Sequence, residues 1–292
     1  MWYTRGRTMC LDLYGNTTSA ARVDDVLAED ARRRKLRRAV RPLRPGVAVV
    51  AVVAPADAEA VLDHVDRERH AFWRHNLELE AVLVAPPGTP FEPLLRSAAH
   101  RVLARAISGA DGVHEAVNSA CVTAALEAVL LVDGSIAFPA SGTPLLQMYL
   151  HLSSAPDRGV VAPVLWGRDG IASDGGVRIA AEASGECVFV PEPIHCAPLW
   201  GEAALLQATA SRCLMARWRA FVGAGGLDPE LTPGPARVAL CLGAGRLGLR
   251  THRLNGGPFS SPDAPGLPLP ARLSDVPRMA RRWCAYLRSS GT

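Results

Sequence analysis

The stretch ALEAVLLVDGSIAFP, residues 125–139, runs the apolar side chains Val129, Leu130, Leu131 and Val132 straight into Asp133 and then the turn-prone pair Gly134-Ser135. A carboxylate at the end of a buried strand has two uses. It can offer its oxygens to a metal ion or a ligand hydroxyl in a binding crevice. It can instead accept hydrogen bonds from the chain just ahead and shape the turn. The sequence leaves both open. The other chemical-looking pair is His195-Cys196 in PEPIHCAPLW. A thiol next to an imidazole in sequence is not an established nucleophile and base, so it is given no role.

These residues must be held by a scaffold, and composition bounds what that can be. The chain has 292 residues, 49% hydrophobic and 21% charged, enough for a sizeable core in one large domain or two ordinary ones. No apolar run nears the roughly 18 to 20 residues of a membrane-spanning helix. The N-terminus MWYTRGRTMC lacks the apolar stretch of a secretory signal. A cytoplasmic protein with no transmembrane segment is therefore expected. The seven cysteines are scattered, odd in number and without Cys-x-x-Cys spacing, which disfavours zinc and a disulfide framework.

A net charge of +4 gives little support to a nucleic-acid partner, and none is expected. Basic residues do cluster in ARRRKLRRAVRPLRP, residues 31–45. That run reads either as a patch for a phosphate-rich partner or an anionic membrane, or as a solvated helix ending before Pro42.

Residues 1–45 read as a polar, basic N-terminal extension. After them GVAVVAVVAP is a continuous β-branched run, as in a strand buried on both faces. A helical pattern follows around Val61, Val65 and Phe72, then a strand in LELEAVLVA before Pro86-Pro87-Gly88. FEPLLRSAAHRVLARAI and HEAVNSACVTAALE read as helices, and AVLLVDGSIAF as a third central strand. Alternating strands and helices predict an α/β fold with a mainly parallel sheet flanked by helices. Beyond it, GTPLLQMYLHLSSA reads as a helix, GVVAPVLWGRDG as a strand, and GVRIAAEASGECVFVPEP as a hairpin. Residues 256–292 are proline-rich and end in a short basic amphipathic helix.

In this order the segments resemble a family 2 inverting glycosyltransferase with the GT-A fold, a Rossmann-related single domain, over residues 46–255. The resemblance runs through VAVVAVVAP, LEAVLVAPPGT and EAVNSACVTAALEAVLLVDGS, then VVAPVLWGRDGIASDGGVRI, ATASRCLMARWRAFVGAGGLDPEL and ARVALCLGAGRLGLRTHRL. It implies a nucleotide-sugar donor, a small-molecule or glycan acceptor, and transfer with inversion.

The acids depart from that pattern. Ala85-Pro86-Pro87 stands where an aspartate holds the donor nucleoside. Asp133-Gly134-Ser135 stands where an Asp-x-Asp carries Mg²⁺ or Mn²⁺. The segment at 235–239, PARVA, has no acid where the general base belongs. The resemblance thus implies Asp133, helped by Ser135, as the remaining metal and donor ligand. Glu230, Asp228 or His252 becomes the replacement base. Arg237, Arg246 or Arg250 becomes a fixed cation for the diphosphate, since guanidinium matches phosphate geometry. The competing expectation is a GT-A-fold protein that has lost or changed its chemistry and serves as a binding or regulatory partner.

Overall fold

The computed structural model describes residues 42–85, 89, 95, 103–108, 112–167, 172–174, 176–181, 187–192, 203–261 and 276–289. The basic run at 31–41 and the His195-Cys196 pair lie outside them.

The first half alternates strands and helices as the sequence predicts, except at Leu103–Ser108. Strand β1 (Arg44–Val52) leads through α1 (Pro55–Arg74) to β2 (Glu78–Ala85), and β3 (Leu103–Ser108) is followed by α2 (Val113–Ala124) and β4 (Leu126–Asp133). Then come α3 (Pro144–Ser153), β5 (Arg158–Trp166), β6 (Ala172–Asp174), the antiparallel hairpin β7 (Val177–Ala181) and β8 (Cys187–Pro191), and β9 (Ala203–Leu206). The chain continues through β10 (Cys213–Arg217), α4 (Trp218–Ala224), α5 (Pro233–Gly245), β11 (Arg250–Ser260) and α6 (Pro277–Ser289).

Nine strands form one sheet in the order β3-β2-β1-β4-β10-β5-β11-β9, with β6 on β5. Strands β3, β2, β1 and β4 are parallel, β10 runs against them, and β5 and β11 return to the common direction. The apolar runs form the centre because both faces are covered. Val47, Val49 and Ala51 of β1 pack with α1 and α3, whereas Ala48 and Val50 pack on the side of α2, α4, α5 and α6. Fully buried Phe72 and Trp283 anchor the two layers, each worth about 2 to 3 kcal/mol of apolar burial.

One element departs from the sequence reading. Residues 103–107, the tail of FEPLLRSAAHRVLARAI, belong to edge strand β3, not to a helix. Alanine and arginine favour a helix locally, but tertiary pairing overrides that preference. Strand β3 completes the parallel ladder on β2, and Arg105 Nε donates to Glu80 Oε1 across it at 2.6 Å. Among the described residues no helix is long and apolar enough to cross a membrane.

Candidate functional site

The chain passes from β1 to β2 on one side and returns to β4 on the other, so the strand order reverses between β1 and β4. In open α/β sheets ligands bind at the carboxyl ends of the strands at such a point. Asp133 is the last residue of β4, paired in register with Val52, the last of β1. The Gly134 N–H donates to Val52 O at 2.8 Å. A Cβ at Gly134 would fall 2.6 Å from Val53 Cγ1 and 3.1 Å from Val52 O, so glycine is what allows the two strand ends to close together.

Asp133 also shapes the turn. Its Oδ1 accepts the Ser135 N–H at 3.1 Å and the Ser135 hydroxyl at 3.0 Å. Its Oδ2 accepts no hydrogen bond among the described residues. One oxygen is spent on local geometry, the turn-shaping use weighed from sequence, and the other is held in a fixed direction.

Helices α2 and α5 run opposite to the strands they precede, which brings their N-termini to this same end of the sheet. On α2, Asn118 grips the turn after α4: its Oδ1 accepts the Leu227 N–H and its Nδ2 donates to Leu227 O, both at 2.8 Å. Gly226, at φ +69°, leaves the room for it, since a Cβ there would lie 2.4 Å from Asn118 Oδ1. One helical turn earlier, His114 Nδ1 meets Asp228 O at 3.0 Å. A carbonyl only accepts, so Nδ1 carries the proton and Nε2 is the lone-pair nitrogen. Burial pushes the His114 pKa down; the bond to Asp228 opposes this, and the nearby Arg237 guanidinium adds to it.

Asp228 itself is 2% exposed. Its Oδ2 accepts from Arg278 Nε at 2.8 Å and lies 3.6 Å from Arg282, both on α6, while Oδ1 accepts the Glu230 N–H at 3.2 Å. The exposed Glu230 carboxylate pairs with Arg278 as well. The C-terminal helix is thereby tied to the turn beside the site.

The structure brings some of the predicted residues together and separates others. Asp133, Ser135, Asp228, Glu230 and Arg237 share the carboxyl end. Arg237, on α5, is buried beside His114. His252 is elsewhere. It pairs with Val161 of β5, which stands level with Leu130 of β4 across Met215. That is three strands away, about 14 Å across the sheet, and its face is the α3 side. Arg250 is exposed at the amino end and bridges Asp157 at 3.3 Å. Arg246 lies over the Trp283 ring at 5.6 Å.

Sequence reasoning does not single out His114, Arg278 or Arg212. His114 and Asn118 are spaced i, i+4 on one helix face, a signal that could have found them. Arg212 is concealed at the entry to a strand. Among the described residues no group of three or more His, Cys, Asp or Glu side chains converges as a ready metal site. Asp133 Oδ2 and the Ser135 hydroxyl are oxygen donors of the kind a hard cation takes, and Mg²⁺ commonly keeps waters and substrate phosphates in the rest of its shell. They fit a cation that arrives with a diphosphate, not one caged by protein alone.

This architecture defines an α/β protein whose strand order reverses beside a presented carboxylate. More narrowly, it is a GT-A-type glycosyltransferase fold. S. aureus TarS 1-349 in complex with UDP-GlcNAc superposes with a TM-score of 0.53 at 14% identity, over 82% of this chain and 66% of that one. A second crystal structure of S. aureus TarS 1-349 gives 0.51 at 14% identity, over 74% and 60%. The chain thus spans somewhat under two thirds of the TarS segment. The mannosyltransferase PcManGT from Pyrobaculum calidifontis, in complex with GDP-Man and Mn²⁺, gives 0.48 at 15% identity, over 92% and 75%. No protein-family signature and no curated protein matches the chain.

Proposed function

We propose that the protein is a divergent family 2 glycosyltransferase, transferring a sugar from a nucleotide-sugar donor to a small-molecule or glycan acceptor with inversion. The observation that carries this reading is Asp133: a strand-end carboxylate at the switch point of a GT-A fold, with one oxygen fixed by Ser135 and the other presented. The nucleotide sugar bound by TarS supports the donor class.

In this reading the donor diphosphate lies beyond β4. Asp133 and Ser135 would hold Mg²⁺ or Mn²⁺ against it, and the cation would neutralise the leaving diphosphate. Arg237 adds fixed positive charge from α5 at the same end. The acceptor oxygen attacks the anomeric carbon as its bond to the phosphate oxygen breaks. The nucleoside diphosphate leaves with the electron pair, and the acceptor proton passes to Glu230. Glu230 is chosen over Asp228 because it is exposed, whereas Asp228 is buried against Arg278 and Arg282 and positions the turn. His252 and Arg250 take no part, because they stand away from this end.

Calorimetric titration with UDP, GDP and dTDP, each with and without Mg²⁺ or Mn²⁺, tests the reading. Binding that strengthens with metal and weakens in Asp133→Asn is expected. A folded protein that binds none of the three overturns it, in favour of a fold retained for another ligand or for none.

A further inference from the structure

Resting on that reading, we propose that Arg212, opposite Asp133 across the ladder of β4 and β10, is a donor-diphosphate ligand: its guanidinium binds phosphate oxygens directly and supplies positive charge that a cation held by one carboxylate supplies weakly.

The register places it. Strand β10 runs antiparallel to β4 with Cys213 opposite Val132 and Leu214 opposite Leu131. One step further out the opposed residues are Arg212 and Asp133, and the Asp133 N–H donates to Arg212 O at 2.9 Å. Opposed residues of an antiparallel pair lie on one face of the sheet. Val132 and Cys213 pack on the α1 and α3 side, and Leu131 and Leu214 on the other. Alternation therefore sets Asp133 and Arg212 together on the α2 and α5 side, the side of Arg237 and His114.

The segment delivering Arg212 is preorganised. Thr209 and Ser211 are each 1% exposed. Thr209 Oγ1 accepts the Ser211 N–H at 3.0 Å and Ser211 Oγ accepts the Cys213 N–H at 3.3 Å, bracketing Arg212 with two side-chain-to-backbone bonds. Cys241 Sγ on α5 adds a weak contact to Thr209 O at 3.8 Å. A main chain fixed on both sides of an arginine is how a cation is aimed without the ordering cost falling on the ligand.

The chemistry fits what the motif lacks. A diphosphate needs positive charge on the oxygens of both phosphates, and a single carboxylate recruits a cation weakly. Guanidinium matches phosphate oxygens bidentately and is charged at every relevant pH. Of the three arginines considered from sequence, Arg246 and Arg250 are directed elsewhere, to Trp283 and to Asp157, and Arg237 adds charge from α5 on the same side.

The test is the affinity that remains when metal is removed. Titration of the full chain with UDP, GDP and dTDP in EDTA should show binding of at least one, weaker than with Mg²⁺ but measurable. Arg212→Gln should weaken that binding about thirtyfold or more, while leaving the parent nucleoside unaffected. Arg212→Lys should recover part of it, as a point charge without the fork. Thermal unfolding of each variant controls for folding, and should Arg212→Gln not fold, Arg212→Lys alone is read for a loss of several-fold. Equal affinity of wild type and variants in EDTA overturns the inference and leaves the transferase reading standing, as does wild-type binding that vanishes in EDTA and returns with Mg²⁺. Wild type that binds no nucleotide under any condition overturns both.

Discussion

Two polar clusters sit on this sheet, and they put similar residue types to opposite use. At the carboxyl end, Asp133, Ser135 and Arg212 occupy strand termini, where turns and short side-chain bonds to the backbone fix them while the chain opens outward. On the other face, His151 of α3 and His252 of β11 pack edge to face at 5.4 Å. Arg158 donates to His151 Nδ1 at 3.3 Å, so His151 carries its proton on Nε2, which has no partner among the described residues, like both ring nitrogens of His252. Burial first, then Arg158 and His252, pushes the His151 pKa down to about 4, and burial with Arg158 lowers that of His252. A titratable group at a strand end is presented; one within the packed layers is suppressed. An open cavity of about 460 Å³ lies toward the amino end, bounded by Leu205, Leu206, Cys241, Leu249 and Thr251, and Arg250 is the charged residue in its wall.

The largest effect should fall at the presented end. Asp133→Asn keeps the turn, because an amide oxygen can still accept from Ser135, and removes the charge on Oδ2. Release of nucleoside diphosphate from whichever nucleotide sugar binds should drop about a thousandfold, roughly 4 kcal/mol in barrier. An unchanged rate removes Asp133 from the chemistry and with it the contrast between the clusters.

Next in size is the clamp beside the site. Arg278→Ala takes the 2.8 Å donor from the buried Asp228 carboxylate and leaves it the more distant Arg282, at 3.6 Å. A buried charge stripped of its main partner costs about 3 kcal/mol, read as a lower urea midpoint. Glu230→Gln should change the unfolding free energy by less than about 0.5 kcal/mol, its side chain being 65% exposed, yet slow turnover at saturating donor. A large stability loss with full turnover in Glu230→Gln would give its carboxylate a structural role instead.

Much of this is legible in the amino-acid sequence alone. VAVVAVV and AVLLVD read as strands covered on both faces, and their alternation with helices implies the parallel sheet. Asp133 stands out because the apolar run stops at it. The β3 segment is not legible: RVLARAIS carries helix formers, and its strand state comes from pairing with β2, which local propensity does not encode. Arg212 is concealed for a related reason. It lies 79 positions from Asp133, and they become neighbours only because β10 inserts antiparallel beside β4. Similarly, His252 reads from sequence as a surface imidazole following a presumed strand, and only the position of α3 packs His151 against it.

The suppressed cluster predicts a modest pH effect. Its histidines titrate near 6.5 when unfolded and lower when folded, so between pH 6.5 and about 4 the unfolded chain binds more protons. Stability then rises with pH through that window and falls as acid is added, with no contribution to the slope above it. Because both rings are partly solvated, the loss should be about 1 kcal/mol after screening. His114, also depressed, adds to the same slope. The double variant His151→Gln with His252→Gln should reduce the slope of the unfolding midpoint across that range to the share that His114 contributes. A profile as steep in the double variant would place the acid sensitivity elsewhere.

The smallest effect is the sharpest control on where the site ends. Arg250 is 62% exposed and its bridge to Asp157 at 3.3 Å is a surface pair, so Arg250→Gln should cost under about 0.5 kcal/mol. Guanidinium alone does not make a phosphate ligand; position on the strand end does. Nucleotide affinity in EDTA should therefore be the same in Arg250→Gln as in wild type, in contrast to Arg212→Gln. Should the two variants weaken binding alike, arginines at both ends would be acting through long-range charge, and the local geometry at Asp133 would have no privileged part.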